Sequence, residues 1–385
     1  MTRELTQRMN GERVASAPVV IGSGILDSIA DRVRSIGAGK NPSSILLVVD
    51  DAIATTWGAR VARSWHNPDG SSVRVTECLV HASESNKSAS TWTTIMDQAI
   101  RAGLDRRGVI VAVGGGITTD LAGFCAATYL RGVQWIAVPT TLLGMVDAAL
   151  GGKTGINLSI GQNRLGKNLA GTIWPPSAVI ADTQTLTSLS ARTFRGGLAE
   201  CLKHSMIADP SIAALLANAQ TYFADPDPLN QWRLIDLVAR CAQVKLDIVA
   251  EDPREADRRM LLNLGHTFAH ALESEFAAEL LHGEAVALGL VAASFASVAD
   301  GGMTLAQAQS VRSQVAGLGF AVALPRAVTV DSLEFAAGFD KKREESSLTL
   351  ILPVGSGGAR IVRRADPELL RVGLRAIGAV ESAGH

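Results

Sequence analysis

Short, fully apolar segments alternate with helical segments along the first half of the chain, and this alternation limits the fold more than any other feature. Residues 44–49, 108–113 and 135–138 are almost entirely apolar, as in parallel strands that are buried on both faces. Residues 90–102 have the spacing of an amphipathic helix. Because parallel strands are joined by crossover connections, the pattern predicts a parallel sheet with helices on both faces.

Helical periodicity replaces this alternation in the second half of the chain. It predicts helices over residues 200–207, 231–250, 259–276 and 283–298, and a late hairpin over residues 348–352 and 359–362. We therefore predict an α/β domain with a Rossmann-like parallel sheet over residues 1–188. A mostly α-helical domain is predicted over residues 189–385.

Composition and the terminal segments exclude several classes of protein. The chain has 36 Lys+Arg against 37 Asp+Glu, and this balance argues against a general nucleic-acid binder. Residues 1–14 do not read as a secretory signal, and residues 1–13 and 381–385 are expected to fray. The apolar segment 280–299 is interrupted by His282 and Glu284, which indicates a buried core helix and not a membrane span. Four cysteines stand singly, as reduced thiols do. We expect a cytoplasmic protein without nucleic-acid or membrane partners.

A run of three glycines, Gly114 to Gly116, follows a predicted strand and leads into a helical pattern. Glycines there let the backbone approach a ligand closely, and a helix N-terminus attracts phosphate. The spacing is not that of the usual dinucleotide fingerprint. A tight turn without a ligand therefore remains an alternative, and Asp120 is either a ligand contact or a simple capping acid.

Two later loops combine lysine with glycine and asparagine. The first contains Asp147 and Lys153, and the second contains Lys167 and Asn168. A lysine on a glycine-rich loop suits a phosphoryl group, whereas a single loop lysine is more often only solvated. Two such loops after successive strands favour a site.

Polar residues recur at helical spacing in the second half: Arg259, Asn263, His266 and His270. Positions three or four apart line one helix face. Histidines beside acids are typical of metal sites, and spacing alone would pair His266 with His270. Glu200 and Lys203 form either a surface ion pair or part of the same cleft.

Taken in order, these motifs resemble the 3-dehydroquinate synthases of the sugar phosphate cyclase superfamily. The resemblance covers residues 44–376 and is densest in segments 114–120, 129–132, 139–143, 147–157, 197–203, 261–270 and 282–286. It implies an NAD-binding α/β domain, a helical metal-binding domain, NAD and zinc (or cobalt) as cofactors, and a homodimer. The implied reaction closes 3-deoxy-arabino-heptulosonate 7-phosphate into 3-dehydroquinate. Its steps are oxidation by NAD, phosphate elimination, reduction, ring opening and aldol closure.

The resemblance also implies roles for individual residues. The metal ligands would be Glu200, His266 and His282. The catalytic residues would be Lys203, Lys245, Glu255, His270, Asn263 and Asp147. Substrate would be bound by Arg131 (from the neighbouring subunit), Lys153, Asn168, Arg259 and Lys342 or its neighbour Lys341. NAD contacts would be Asp50, Glu84, Lys87, Gly115, Gly116, Asp120, Thr140, Thr141 and Lys167.

The chain departs from the family pattern in places that bear on its substrate. The loop over residues 157–168 is longer than usual, and Asp257 stands where glycine is common. Lys245, Arg259 and Asn263 are retained, which favours a substrate with a carboxylate. An aminodehydroquinate synthase or another sugar phosphate cyclase of secondary metabolism remains an alternative, as does an inactive relative that only binds NAD or metal.

Overall fold

The computed structural model of the chain describes residues 1–9, 15–36, 41–65, 73–161, 165–225, 227–277, 279–339, 348–355 and 357–381. Its residues group into two units. The first contains Met1–Ser190 and Asp225–Arg254, and the second contains Ala191–Ala224 and Glu255–His385.

A seven-stranded sheet forms the centre of the first unit. Its strands are β1 (Thr2–Met9), β2 (Ala15–Gly22), β3 (Ser44–Asp50), β4 (Arg74–Val80), β5 (Val109–Gly114), β6 (Gln134–Pro139) and β9 (Ala178–Asp182). The order is β1-β2-β9-β6-β5-β3-β4, and every pair is parallel except β1 with β2. Because β3 pairs with β4 on one side and β5 on the other, the strand order reverses beside β3. In open parallel sheets, ligands bind at the carboxyl ends of the strands next to such a reversal.

Four helices and a two-stranded ribbon accompany the sheet within residues 1–190. The helices are α1 (Ile29–Ile36), α2 (Ala59–Arg63), α3 (Ala89–Arg101) and α4 (Gly116–Thr128), and the ribbon pairs β7 (Lys153–Ser159) with β8 (Leu165–Ile173). The predicted strands 44–49, 108–113 and 135–138 and the predicted helix 90–102 are confirmed. Residues 2–9 were expected to fray, which is wrong, because they pair along their whole length with β2.

The first unit also includes a long helix from the middle of the chain, α8 (Pro228–Glu251). It begins where the Asp227 carboxylate accepts hydrogen bonds from the Leu229 and Asn230 amides, with Pro228 in the first turn. The helix packs on β1, where Arg3 and Asp236 form an ion pair at 3.1 Å. From the sequence, these residues are predicted to belong to the domain 189–385. Helical periodicity shows that a helix forms, but it does not show which sheet covers the apolar side of that helix.

Helices dominate the second unit: α5 (Ala191–Ile207), α6 (Ile212–Leu216), α7 (Ala219–Ala224), α9 (His266–Glu275), α10 (His282–Ala299), α11 (Leu305–Gly317), α12 (Val330–Phe339) and α13 (Pro367–Ala376). The predicted hairpin is present as β10 (Leu350–Pro353) and β11 (Ala359–Val362). Helix α10 packs against α5, α9, α11 and α13. It is long and apolar enough to cross a membrane by length and composition, but 72% of the relevant window is buried, as predicted for a core helix.

The predicted continuous helix over residues 259–276 is interrupted. A short 3-10 helix spans Arg258–Asn263, and α9 begins only at His266. Between them, Gly265 adopts φ = +79°, in the left-handed region that favours glycine. The spacing predicts that Arg259 and Asn263 share a helix face with His266 and His270. This prediction is wrong, because the helix is interrupted between the two pairs.

All four cysteines are free and buried: Cys78, Cys125, Cys201 and Cys241. Burial raises the pKa of the Cys78 thiol to about 11 and also raises the pKa of Cys125. Because the thiolate is the reactive form, we expect iodoacetamide at pH 8 to leave the native protein unmodified and to label all four thiols in urea. Peptide mass spectrometry checks this. Rapid labelling of Cys78 in the native protein would contradict it.

Candidate active site

Three side chains that could hold a metal ion meet in the second unit. Glu200 lies in α5, His266 is the first residue of α9 and His282 is the first residue of α10. The Glu200 Oε1 atom is 3.2 Å from His282 Nε2 and 3.6 Å from His266 Nε2. One ligand atom from each residue lies within 4.8 Å of the others. One carboxylate and two imidazoles are a donor set typical of catalytic zinc.

Both histidines are oriented by acceptors on their other ring nitrogen. His266 Nδ1 lies 3.2 Å from the Leu264 carbonyl oxygen, and His282 Nδ1 lies 3.1 Å from Glu273 Oε1. An acceptor at Nδ1 leaves Nε2 free to face the shared position, which is the usual arrangement around metal-ligating histidines. The residues present therefore fit a divalent metal ion. Sequence analysis did not single out Glu273, although it lies seven residues after His266, on the same face of α9.

Burial and two neighbouring basic side chains determine the electrostatics around Glu200. Burial lowers the pKa of His266 to about 3, although the Glu200 carboxylate opposes the shift. Burial acts in the same direction on His282, but hydrogen bonds to Glu200 and Glu273 outweigh it and raise its pKa to about 10. Lys203 Nζ lies 2.5 Å from Glu200 Oε2, and both side chains are 1% exposed. Glu200 and Lys203 are thus a buried pair and not the surface ion pair considered above.

The helices that carry these ligands touch at backbone distance. A Cβ atom added at Gly283 would lie 2.1 Å from the Gly196 carbonyl oxygen, and one at Gly289 would lie 2.2 Å from the Gly265 carbonyl oxygen. The first contact joins α10 to α5, and the second joins α10 to the residue that precedes α9. Close approach at these glycines brings the three ligands together.

The other predicted residues of the second unit surround this group in different ways. His270 lies edge-on to His266 with ring centroids 5.7 Å apart, but it is not part of the ligand group among the described residues. The spacing-based pairing of His266 with His270 therefore does not match the geometry. Asn263 Nδ2 donates to Glu255 Oε1 at 2.8 Å, and Arg259 is 1% exposed.

In the first unit, the predicted cofactor residues lie at the carboxyl ends of neighbouring parallel strands. Gly115 and Gly116 form the start of α4 directly after β5, while Thr140 and Thr141 follow β6. Added Cβ atoms would lie 3.1 Å from Thr141 Cγ2 at Gly115 and 2.9 Å from Ala148 Cβ at Gly116. The absence of a Cβ lets Thr141 and Ala148 pack closely here, and the two half-buried glycines leave the backbone at the N-terminus of α4 partly accessible, as a phosphate-binding turn requires. Asp50 ends β3, and burial raises its pKa.

A buried lysine joins several of these segments. Lys87 Nζ donates to Asp120 Oδ2 and to Asn168 Oδ1, each at 2.5 Å. Burial raises the pKa of Asp120, and Lys87 opposes the shift. Asp120 lies within α4 and not at its N-cap, which is Gly115, so it is not a simple capping acid. A weaker ion pair links Lys167 to Glu84 at 3.9 Å.

The remaining predicted residues of the first unit lie in α8, at the start of β7 and in two short helical turns. Lys245 of α8 forms a hydrogen-bonded ion pair with Asp147 and also donates to its carbonyl oxygen at 2.5 Å. Lys153 is exposed at the start of β7. Arg131 lies in an exposed turn with φ = +64°. Lys341 and Lys342 lie outside the described residues.

A cavity of about 420 Å³, which the sequence does not predict, lies in the first unit at the carboxyl ends of β2 and β9. Its lining residues are Ser23, Trp57, Arg60, Gln184, Thr187 and Gln231. They come from four separate segments of the chain without any recognisable spacing, so only the folded sheet reveals them.

Comparison with known proteins covers both halves of the chain. Residues 77–196 match the family model described as 3-dehydroquinate synthase N-terminal, and residues 197–343 match 3-dehydroquinate synthase C-terminal. The curated 3-dehydroquinate synthase of Symbiobacterium thermophilum is 35% identical over 364 residues, which cover 94% of this chain and 97% of that protein.

Solved structures share the fold. The 2-epi-5-epi-valiolone synthase of Streptomyces hygroscopicus subsp. jinggangensis, solved with NAD⁺ and Zn²⁺ bound, has a TM-score of 0.83 at 28% identity and covers 96% of this chain and 99% of its own. The NADH-dependent butanol dehydrogenase of Thermotoga maritima has a TM-score of 0.67 at 13% identity, with coverage of 97% and 100%. The second likeness concerns the fold alone. Because both family models match in order and the first relative is similar along nearly its whole length, the chain belongs to the 3-dehydroquinate synthase family.

Proposed function

We propose that this protein is a 3-dehydroquinate synthase. It converts 3-deoxy-arabino-heptulosonate 7-phosphate to 3-dehydroquinate with release of phosphate, as a carbon–oxygen lyase of the shikimate route to aromatic compounds. The observation that carries the proposal is the group of Glu200, His266 and His282, centred on the buried Glu200 carboxylate, in a chain of this family. Glu plus two His leaves coordination positions for a substrate hydroxyl.

The metal would be zinc or cobalt, held by Glu200, His266 and His282. When bound, such an ion polarises a substrate hydroxyl and lowers its pKa. Lys203 Nζ lies 2.5 Å from Glu200 Oε2, and this contact orients the carboxylate so that Oε1 faces the two imidazoles. Glu273 and the Leu264 carbonyl keep the two imidazoles turned toward the ion.

NAD would be held at the carboxyl ends of the first unit's strands, and it supplies reversible oxidation of a substrate hydroxyl. The contacts proposed for it are Asp50, Glu84, Lys87, Gly115, Gly116, Asp120, Thr140, Thr141 and Lys167. The cradle left by the two glycines and the free amides at the start of α4 suit the pyrophosphate. Asp120 and Lys87 fix each other's orientation beside this turn.

The substrate's two anionic groups need separate partners. Lys153, Asn168, His270 and Lys341 or Lys342 are proposed for the phosphate, with Arg131 contributed by a second subunit. Arg259 and Lys245 are proposed for the carboxylate, and Asp147 and Asn263 for hydroxyl groups. Lys203 and Glu255 are proposed to move protons.

Replacing Arg259 with alanine is expected to lower kcat/KM, because it leaves the desolvated carboxylate of the substrate without its partner. The expected loss of transition-state stabilisation is about 2–5 kcal/mol. The matched control is Arg258→Ala, since Arg258 is the exposed neighbouring arginine. Steady-state kinetics of both variants check the prediction. Unchanged kcat/KM in Arg259→Ala would show that this arginine does not bind the substrate.

We also propose a cytoplasmic homodimer in which Arg131 completes the partner's phosphate site. Arg131 is exposed in its turn, as a residue that reaches another subunit must be. We expect the mass of a dimer by analytical ultracentrifugation at micromolar concentration. An inactive Arg131→Ala protein mixed with an inactive Lys203→Ala protein should regain activity in mixed dimers. A monomeric, fully active enzyme would contradict the proposal.

The function itself is tested by phosphate release from purified protein with NAD and zinc. The assay runs in parallel on 3-deoxy-arabino-heptulosonate 7-phosphate, its amino analogue and sedoheptulose 7-phosphate. We expect the highest kcat/KM with the first substrate. A preference for either of the others would move the protein to a specialised pathway and overturn the assignment.

A further inference from the structure

The ribbon β7–β8 is irregular opposite Asn157. Ile156 pairs with Ala170 but Leu158 pairs with Gly166, so Asn157 alone stands opposite residues 167–169, and the extra residues of the bulge lie on β8. Bulges often occur beside functional sites, where they redirect a side chain. Asn157 is 2% exposed although its two following neighbours on β7 are exposed. At this irregularity one polar side chain, that of Asn157, lies in the interior of the first unit, opposite the bulged part of β8.

Asn157 uses both ends of its amide and its backbone N–H to join separate segments. Its Nδ2 atom donates to the Glu84 carbonyl oxygen at 3.0 Å and to Glu84 Oε2 at 2.8 Å. Its Oδ1 atom accepts from the Asn168 backbone N–H at 2.8 Å. Its own backbone N–H donates to the Lys87 carbonyl oxygen at 2.7 Å. Asn157 thus ties the turn before α3 to β8.

The residues tied together are those proposed for two different ligands. Glu84 and Lys87 are proposed NAD contacts, and Asn168 is a proposed phosphate contact. Asn168 has φ = +54°, in the left-handed region, where a non-glycine residue needs support from its surroundings. Asn157 supplies that support at the backbone, and the Asn168 side chain then meets Lys87 Nζ. Asn157 is therefore bonded to the backbone of both residues, Lys87 and Asn168, whose side chains meet.

The same bond bears on the unusually long loop of this chain. Asn157 and Asn168 lie at the two ends of the extended segment, and their hydrogen bond closes its base.

We propose that Asn157 is a positioning residue that couples NAD binding to binding of the phosphate-bearing substrate. The inference rests on the proposed function, since it takes Lys87 and Asn168 as contacts of those ligands. Asn157 touches neither ligand. It acts by holding both contacts in one network, so that a phosphoryl anion at Asn168 and a dinucleotide at Lys87 favour the same arrangement. Such coupling is reciprocal for the two ligands.

The test measures the dissociation constant of NAD by calorimetry, with and without saturating inorganic phosphate, in wild type and two variants. In wild type, we expect phosphate to tighten NAD binding. In Asn157→Ala, we expect NAD to bind about tenfold more weakly, as for loss of a buried hydrogen bond, and phosphate to have no effect on its affinity. Asn157→Asp keeps the acceptor for Asn168 but places a carboxylate against Glu84. It is expected to weaken NAD binding by a similar factor and to lower the melting temperature, because two carboxylates then meet in a buried position, while the retained acceptor still supports the Asn168 backbone.

Ser159→Ala, an exposed position on the same strand, is the matched control and should behave as wild type. A folded Asn157→Ala or Asn157→Asp protein with wild-type NAD affinity and wild-type phosphate coupling would overturn the inference. If Asn157→Ala does not fold, the NAD affinity and phosphate coupling of Asn157→Asp alone decide whether the inference holds. Failure of wild type itself to bind NAD would instead overturn the proposed function, so the two failures are distinguishable.

Discussion

Glu200→Gln is expected to abolish metal binding and to lower kcat/KM by a factor on the order of 10³, the effect of losing several kcal/mol of charge stabilisation. Glu200 is 1% exposed and faces both His282 Nε2 and His266 Nε2. Glutamine preserves the shape of the side chain but removes its negative charge. Its amide group also presents hydrogens where a cation would bind. Metal analysis of the purified protein and steady-state kinetics measure the two effects.

The matched control is Glu275→Gln, a change of the same kind on α9. Glu275 pairs with Arg326 at 3.1 Å and does not belong to the ligand group. We expect this variant to keep its metal and its activity. A Glu200→Gln protein with full metal content and wild-type kcat/KM would show that the metal assignment is wrong.

Gly283→Ala is expected to destabilise the protein by about 1–3 kcal/mol and to weaken metal binding together with stability. The new Cβ would lie 2.1 Å from the Gly196 carbonyl oxygen. This oxygen belongs to the backbone, so no change of side-chain rotamer can relieve the contact. The first turn of α10 would have to shift away from α5. Because His282 precedes Gly283 directly, the shift would also move a proposed metal ligand away from Glu200.

The control for this prediction lies across the same contact. A Cβ atom at Gly196 would meet nothing within 4 Å, and the same holds for Gly317 in α11. We expect Gly196→Ala and Gly317→Ala to keep wild-type stability or to gain slightly, since alanine favours helix more than glycine does. Thermal melts and competition for zinc with a chelator separate the cases. Equal behaviour of Gly283→Ala and Gly196→Ala would contradict this account of how the site is built.

Local patterns were enough to predict the core strands of the sheet. Residues 44–49 and 108–113 are buried on both faces, so they are almost entirely apolar, and such short apolar runs are typical of buried parallel strands. Strand β1 lacks that signal because six of its eight residues are polar, and it lies at the sheet edge, where it pairs with β2 alone. Strand β8 lacks it too, because its nine residues remain largely outside the core.

The candidate metal site shows where spacing stops being informative. His266 and His270 are one helical turn apart, which is why they suggested a chelating pair. The geometry instead selects Glu200 and His282, which lie in other helices and reach His266 only through contacts at glycines. Such contacts depend on packing between distant segments and leave no periodic trace. Resemblance to the family predicted the set, and helical spacing did not.

Long-range pairing limits the prediction of the first unit in the same way. Lys245 meets Asp147 across 98 positions of sequence, because α8 returns to the sheet of the first unit. The link from Asn157 to Glu84 spans 73 positions and depends on a bulge. Neither the packing of α8 on the first unit's sheet nor the bulge can be recognised from the amino-acid pattern of one sequence.

The proposed reaction is a cyclisation with no net oxidation, carried out in a fold that an NADH-dependent dehydrogenase also adopts. The most direct test measures phosphate, 3-dehydroquinate and NADH together during turnover of 3-deoxy-arabino-heptulosonate 7-phosphate by the zinc-loaded enzyme with NAD. We predict equal amounts of phosphate and 3-dehydroquinate and no accumulation of NADH. NADH that accumulates with turnover, without release of phosphate, would mean that the protein is a dehydrogenase and would contradict the account.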